Sequence, residues 1–388
     1  MILVDKPYIS EFFKNTIYRN LYPVVKTPVA RQLCSDMQEF LIDESDAVAQ
    51  LRADKNFKLY TTSENAIGWI SEKLKFSDLP DKINIFKDKG RFRSLLSELY
   101  PDYAFEEIPF MLLNENTYKT FPMPFIIKPS VGFFSMGVHR VSNKKEWEKA
   151  RVAIKSEMQE KRGLYPNEVL DTRKFILEAC IEGTEYAIDA YYNETGEPVI
   201  LNILKHVFSS ADDVSDRVYL TSKTVIKSNL ERFTKFLKQV GDLAELKNFP
   251  VHVEVRVDDD GVLIPIEVNP MRFGGWCTTP DMTHYAYGFN AYQYYFDGQK
   301  PDWASILESK GDEVYSIVVL DNSTGVEAED IKSFNYKKLL SSFKKPLDLR
   351  KIDYHEYPVF GFVFVETKPA EFGEIEDILR SDLSEYLE

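Results

Sequence analysis

One segment, HVEVRVDDDGVLIPIEVNPMRFGG at positions 252–275, constrains the fold more than any other part of the chain. Residues 252–257 alternate apolar and polar side chains over a short run, which is typical of a half-buried strand. Residues 258–261 contain three aspartates and a glycine, which favour a tight turn, and residues 262–268 return as a second strand-like run. The segment therefore predicts a two-stranded hairpin.

Polar side chains converge at one end of this predicted hairpin. Glu267 and Asn269 are two residues apart and so share a face of the second strand, and closure of the hairpin brings Glu254 of the first strand near them. Two carboxylates and an amide oxygen are hard ligands that Mg²⁺ accepts, with phosphate oxygens completing an octahedron. An amphipathic hairpin with a solvated acidic face is the structural alternative that this segment alone leaves open.

Length and charge narrow the class of protein. The 388 residues suffice for two or three domains, and the net charge of −14 argues against a general binder of nucleic acid or anionic membranes. The cysteines at positions 34, 180 and 277 are far apart and form no CxxC pair, so a reducing cytoplasm fits. The first residues lack the pattern of a signal peptide, and no apolar run is long enough to span a membrane. We therefore expect a cytoplasmic protein that binds neither nucleic acid nor membrane.

Two further regions have readable patterns. Residues 1–86 alternate strand-like and helical runs, which predicts a small parallel α/β domain, and no GxGxxG follows its first strand. Residues 125–129 (FIIKP) form an apolar strand that ends at Lys128, followed by a loop, SVGFFSMG, at 130–137. A lysine at a strand end, followed by glycines that let the backbone approach an anion, suits a phosphate contact. An ordinary hairpin turn is the alternative at this loop.

Five features in order make residues 85–300 resemble an ATP-grasp enzyme. The features are Lys89, Lys128-Pro129, the loop 130–137, Glu178 with Gly183-x-Glu185, and Glu254 with Glu267-Val268-Asn269-Pro270. The resemblance implies a mixed α/β and α+β architecture, the ATP-grasp fold. It divides the chain into an N-terminal parallel α/β domain (1–86), a lid subdomain (87–181), a subdomain with the metal site (182–310) and a small C-terminal α/β appendage (311–388).

The resemblance also implies ATP and Mg²⁺ or Mn²⁺ as cofactors. Residues implied to contact the nucleotide are Lys89, Lys128 and Ser135 (phosphates), Glu178, Ala179 and Ile181 (adenine edge) and Glu185 (ribose). Residues implied to hold the metal are Glu254, Glu267 and Asn269. His252 flanks this group, either as a phosphate or substrate ligand or in a purely structural role.

A cationic residue is expected to stabilise the reacting group, and here the chain departs from the family. ATP-grasp enzymes often carry Asn-Pro-Arg, whereas Met271 separates Pro270 from Arg272 in this chain. Arg272 is the first candidate, and Arg256 is the second. The phosphate loop also carries fewer glycines than is usual in the family, with two phenylalanines in their place.

The reaction implied is the ADP-forming ligation of a carboxylate, from an amino acid or a small peptide-like acid, to an amine through an acyl phosphate. A phosphotransferase, a carboxylase and a non-catalytic ATP-binding module are the alternatives. Trp276, Thr278, Thr279 and Asp281 follow the metal segment, where a substrate pocket wall is expected, and Asp281 is the candidate receptor for an amino group. The C-terminal appendage is expected either to cover the site or to mediate self-association.

Overall fold

The computed structural model describes residues 1–119, 121–131, 137–161, 171–210 and 215–388, with the side chains of 158–161 and 171–173 left out. Within these ranges the chain forms three β-sheets. The first sheet is parallel, with strand order β3-β2-β1-β4. Its strands are β1 (Ile2–Leu3), β2 (Val24–Val25), β3 (Leu41–Ile42) and β4 (Tyr60–Thr61).

Helices alternate with these short strands, as the sequence pattern predicts. They are α1 (Glu11–Asn20), α2 (Pro28–Leu33), α3 (Glu44–Ala53) and α4 (Ile67–Lys73). The side chain of Ser10 accepts a hydrogen bond from the backbone N–H of Phe13 and so caps α1, and Thr27 caps α2 in the same way just before Pro28. Two more helices, α5 (Leu79–Lys87) and α6 (Lys89–Leu95), lead out of this unit.

The second sheet is a four-stranded antiparallel sheet with the order β5-β8-β6-β7. Its elements are β5 (Phe105–Pro109), β6 (Phe125–Val131), β7 (His139–Val141), α7 (Lys144–Lys161) and β8 (Asp171–Ala179). Phe125, Phe175 and Trp147 of α7 are fully buried in its core. Lys128 and Glu178 therefore lie on adjacent strands of one sheet.

The third sheet has eight antiparallel strands in the order β13-β12-β9-β10-β11-β14-β16-β15. Its first five strands in sequence, with one helix, are β9 (Thr184–Tyr192), β10 (Pro198–Val207), β11 (Val218–Ser222), α8 (Lys223–Leu243), β12 (Phe249–Val257) and β13 (Leu263–Pro270). Helix α8 packs closely on the sheet at Gly241. A Cβ added at this position would lie 2.2 Å from the ring of Tyr192, so the absence of a side chain permits the contact. The predicted acidic hairpin is β12–β13, at one edge of this sheet.

The C-terminal strands extend the same sheet. After α9 (Thr278–Tyr287), α10 (Ala291–Asp297) and α11 (Trp303–Glu308), the elements are β14 (Val314–Asp321), α12 (Tyr336–Leu340), β15 (Pro346–Lys351), β16 (Val359–Thr367) and α13 (Gly373–Arg380). The residues predicted to be a separate appendage share a sheet with the acidic hairpin, because β14 pairs with β11 along Val218–Ser222. They also bury a second apolar cluster, which includes Phe334, Phe360 and Ile375.

The predicted combination of a parallel α/β unit with α+β parts is confirmed. Among the described helices, none combines the length and apolar character needed to cross a bilayer.

Candidate active site

The acidic hairpin brings the three predicted metal ligands together. In the register of β12 and β13, Glu254 lies opposite Glu267, and His252 lies opposite Asn269. The side-chain amide N–H of Asn269 donates to Glu267 Oε1 at 3.1 Å, which orients the amide. Both glutamates are half-buried, and Asn269 is buried.

Negative charge is in excess at this pair of carboxylates. Burial raises the pKa of Glu254 well above its usual range, and the adjacent Glu267 adds to the effect. Burial acts in the same direction on Glu267, but Lys89 and Lys87 together hold the pKa of that carboxyl below its usual range. Two facing carboxylates and an amide fit Mg²⁺, with phosphate and water supplying the other oxygens. Within the described ranges, no three His, Cys, Asp or Glu side chains group to hold a metal ion by themselves.

His252 lies between this pair and a buried aspartate. Its Nδ1 is 2.7 Å from Asp189 Oδ1, and its Nε2 is 3.7 Å from Glu254 Oε1. Asp189 is fully buried and also accepts from the backbone N–H of Gly274 at 3.0 Å and from the Thr279 hydroxyl. The imidazole is therefore fixed by the strand beside it, which is consistent with the structural role considered from the sequence.

The two predicted phosphate lysines approach the same place from different elements. Lys89 begins α6, where Asp88 is the N-cap, and its Nζ lies 3.5 Å from Glu267 Oε2. Lys128 comes from β6 and forms an ion pair with Glu178. Burial lowers the pKa of Lys128, and the charge of Lys89 contributes to the lowering, so the two ammonium groups share one electrostatic neighbourhood. Ser135, the third predicted phosphate contact, lies outside the described residues.

Glu178 forms ion pairs with two cationic side chains of the protein. Its carboxylate accepts from Arg93 Nε at 3.0 Å as well as from Lys128. Burial opposes ionisation, but Lys128 and Arg93 outweigh it and lower the pKa of Glu178 to about 2. The side chain predicted to face adenine is thus paired with Lys128 and Arg93.

Three backbone atoms of the segment predicted at the adenine edge have partners within the protein. Tyr103 Oη donates to the Ala179 carbonyl at 2.8 Å, Arg256 Nη1 donates to the Ile181 carbonyl at 2.7 Å, and the Ala179 N–H donates to Ala104. A carbonyl oxygen has two lone pairs, so each carbonyl retains the capacity to accept a second bond. Gly183 immediately precedes β9 and has φ +108°, and a Cβ there would lie 2.3 Å from the Val257 carbonyl oxygen.

Glu185, the predicted ribose contact, is paired on both oxygens. His206 Nδ1 lies 2.8 Å from one oxygen, and Arg256 Nε donates to the other at 3.0 Å. Burial alone would raise the pKa of Glu185, but the bond to His206 and the charge of Arg256 lower it overall. The His206 ring in turn stacks on Tyr219, with centroids 4.2 Å apart.

The two candidate arginines therefore occupy different surroundings. Arg256 joins Glu185 to Ile181, on the nucleotide side of the predicted site. Arg272 Nη2 donates to Glu64 Oε1 at 2.7 Å, and its positive charge lowers the pKa of Glu254, although less than burial raises it. Arg272 is the candidate whose charge interacts with the predicted metal ligands Glu254 and Glu267.

Three charged residues of this neighbourhood were missed by the sequence analysis. Glu64 accepts from both Arg272 and Lys87, and these cations lower its pKa to about 2 against the effect of burial. Arg93 bonds to Glu178 and also donates from Nη1 to the Pro265 carbonyl of β13 at 2.6 Å. The only local signal was the proximity of Lys87 and Arg93 to Lys89 in sequence, since their partners are far along the chain.

The expected pocket wall is only partly open. Asp281 is buried and accepts from Arg350 Nη2 at 2.6 Å and from Tyr292 Oη at 3.1 Å, so its carboxylate already holds an internal cation. Burial raises the pKa of Asp281 to about 6 despite that contact. Trp276, by contrast, is only half-buried.

Comparisons with known proteins identify the fold. A family model described as an ATP-grasp domain matches residues 121–280. The chain therefore has the ATP-grasp fold, which the sequence motifs predict. No curated protein matches the sequence.

Solved structures extend the likeness over the whole chain. An L-amino acid ligase from Bacillus licheniformis is similar with a TM-score of 0.68 at 18% identity, covering 100% of this chain and 97% of the other. A biotin carboxylase in complex with beta-gamma-ATP, from Campylobacter jejuni, has a TM-score of 0.64 at 11% identity, covering 100% of this chain and 91% of the other. N5-carboxyaminoimidazole ribonucleotide synthetase from Thermotoga maritima gives 0.63 at 14% identity, covering 100% and 98%. At these identities the likeness shows the fold.

Proposed function

We propose that this protein is a cytoplasmic, ATP-dependent ligase that joins the carboxylate of an amino acid or a small peptide-like acid to an amine, releasing ADP and phosphate. The observation that carries the proposal is the grouping of Lys89, Lys128 and Arg272 around the facing carboxylates Glu254 and Glu267. Such a group suits a triphosphate and a divalent cation together. The L-amino acid ligase similar over the full length supports the choice of acid and amine.

The roles of the residues in the first step are those that the ATP-grasp resemblance implies. Lys89 and Lys128 would contact the α and β phosphates as point charges. Glu254, Glu267 and Asn269 would hold Mg²⁺, which supplies charge neutralisation on the phosphates. A carboxylate oxygen of the acid attacks the γ-phosphorus, the bond from phosphorus to the bridging oxygen breaks, and ADP leaves.

The second step forms the C–N bond. The free amine attacks the carbonyl carbon of the acyl phosphate, phosphate departs with its bonding electron pair, and the nitrogen gives up a proton. Negative charge develops on the carbonyl oxygen at this stage, and a fixed cation stabilises it. We assign this role to Arg272, because its charge acts on Glu254, whereas Arg256 is paired with Glu185 at the predicted ribose contact. Arg272 is itself held in place by Glu64 and by the Phe273 carbonyl.

The test is Mg-ATP turnover with amino acids added singly and in pairs, scored for ADP, AMP and phosphate. ADP and phosphate that require both an acid and an amine, with a dipeptide-like product by mass spectrometry, would support the ligase. Hydroxylamine in place of the amine should trap the acyl phosphate as a hydroxamate. The Glu267→Gln variant serves as the matched control for contaminating ATPases.

The other outcomes identify the alternatives. AMP with pyrophosphate would contradict the acyl-phosphate route. Turnover that needs bicarbonate would indicate a carboxylase, and a stable phosphorylated product that no amine consumes would indicate a phosphotransferase. ATP binding without turnover under every pair would indicate a binding module.

A further inference from the structure

Residues 271–277, which follow β13, have an unusual backbone conformation. Met271, Trp276 and Cys277 have φ of +67°, +57° and +58°, in the left-handed region that favours glycine. Consecutive residues in this region cost free energy and persist only where their surroundings hold them. The contacts that hold Trp276 and Cys277 therefore matter for the shape of the expected substrate pocket.

Arg350 of β15 makes the main polar contacts of this kind. Its Nη1 donates to the Trp276 carbonyl at 2.5 Å, and its Nη2 donates to Asp281 Oδ2 at 2.6 Å. Its guanidinium also lies 5.0 Å from the ring centroid of Tyr8. Arg350 is 6% exposed, so it is committed to these contacts. One side chain thus fixes both ends of the segment from Trp276 to Asp281.

Aromatic rings from both ends of the chain complete the setting. The Trp276 ring has centroids of Tyr8 at 6.4 Å, Tyr357 at 5.1 Å and Phe362 at 5.6 Å. Tyr8 belongs to the N-terminal unit, while Tyr357 and Phe362 belong to the C-terminal residues. Because Trp276, Tyr8 and Tyr357 are each only half-buried, this group presents an aromatic surface.

We propose that Arg350 is a positioning residue that holds Trp276 in place, so that the C-terminal residues set which substrate side chain the enzyme accepts. The inference rests on the proposed function, since it takes Trp276 as a wall of the ligase pocket. The aromatic surface fits an amino acid with an apolar side chain. The C-terminal residues then belong to the active site and are more than a cover for it.

The test compares two buried arginines, Arg350 of β15 and Arg217, which immediately precedes β11. Arg217 is 4% exposed and bonds to Asp321, Ser323 and the Ser381 carbonyl, none of which belongs to the aromatic group around Trp276. In the full-length protein, kcat and KM are measured for alanine and for leucine as substrates in Arg350→Lys, Arg350→Gln, Arg217→Lys and Arg217→Gln. We expect Arg350→Gln to change the leucine-to-alanine ratio of kcat/KM by about tenfold with the KM for ATP nearly unchanged. Arg350→Lys should change it less, and the Arg217 variants should not change it.

A second readout does not depend on turnover. The chain has four tryptophans, so the contribution of Trp276 is isolated by subtracting the fluorescence of a Trp276→Phe protein in each background. Acrylamide quenching of Trp276 should increase in Arg350→Gln and not in Arg217→Gln. Unchanged quenching, an unchanged substrate ratio in an active Arg350→Gln protein, or an equal change in Arg217→Gln would overturn the inference. Absence of ligation in the unmodified protein would instead overturn the proposed function, and quenching would still decide whether Arg350 holds Trp276.

Discussion

The candidate active site contains two sets of buried or half-buried carboxylates that differ in how much positive charge surrounds them. At Glu178 one carboxylate receives two cations of the protein, Lys128 and Arg93. At the hairpin two carboxylates, Glu254 and Glu267, face each other, and Lys89 lies 3.5 Å from only one of them. The consequence appears in the pKa values, since that of Glu178 is lowered to about 2 while that of Glu254 is raised well above its usual range.

The difference separates a part of the fold from a binding site. A buried carboxylate that is fully paired stabilises the folded chain relative to one left alone. A pair of carboxylates with too little positive charge destabilises the unliganded protein and gains from an added cation. We therefore expect substitutions in the two groups to act in opposite directions on stability, and only those in the hairpin to act mainly on catalysis.

The largest expected effect is the loss of activity when the hairpin pair is broken. Glu267→Gln should lower ATP turnover by about 10³-fold, because the site then lacks a charged ligand for the cation that neutralises the phosphates. Steady-state ADP release measures the effect. Glu366→Gln, at a half-buried strand position paired with the exposed Lys345, is the matched control and should keep its activity. Turnover within tenfold of the unmodified protein would remove Glu267 from the proposed metal site.

The next largest effect is on stability, and here Glu178 matters more than the hairpin carboxylates. Glu178→Gln should lower the free energy of unfolding at pH 7 by about 3 kcal/mol, because Lys128 and Arg93 would be left buried without their counter-charge. Glu254→Gln should leave stability unchanged or raise it, because one of two repelling carboxylates is removed. Urea unfolding of both variants beside the unmodified chain gives the two signs. A loss of equal size in both would contradict the distinction between the two groups.

The pH dependence of stability sharpens the same point. The pKa of Glu178 is about 2 in the folded protein and 4.5 in its unperturbed state, so folding favours the ionised form. Its contribution, on the order of 3 kcal/mol, is fully present above pH 4.5 and is lost as the pH falls toward 2. The stability difference between the unmodified chain and Glu178→Gln should therefore shrink between pH 5 and pH 3 in urea unfolding. A difference that stays constant over this range would show that the carboxylate is not stabilised by its partners.

The arrangement of the hairpin carboxylates could be predicted from the sequence, whereas the surroundings of Glu178 could not. Glu254, Glu267 and Asn269 could be placed together because a hairpin has a fixed period and a short turn, and the structure has β12 and β13 where the pattern put them. The Glu178 group depends on Arg93, which is 85 positions away in sequence, and no local pattern specifies that pairing. The sequence-based prediction that the Glu178 side chain faces adenine did not include its pairing with Arg93.

Long-range pairing also explains what was missed elsewhere. Arg272 meets Glu64 across 208 positions, and Arg350 meets Trp276 across 74. The C-terminal strands were predicted to form a separate unit, because a sequence pattern does not indicate which strands pair with each other at the edge of a sheet. In the structure β11, which was not predicted, supplies that edge and connects β14 to the large sheet.

The smallest effect tests the excess negative charge directly. Mg²⁺ without nucleotide should stabilise the unmodified chain by about 1 kcal/mol at a few-fold excess over its Kd, because the cation binds only the folded arrangement of Glu254 and Glu267. A chain of net charge −14 also responds to ionic strength in general, so the reference is sodium chloride at equal ionic strength. The magnesium-specific shift in the thermal midpoint should vanish in Glu254→Gln and in Glu267→Gln but persist in Glu178→Gln. Persistence in both hairpin variants would mean that the hairpin is an acidic surface and not a metal site, which is the alternative that the sequence alone left open.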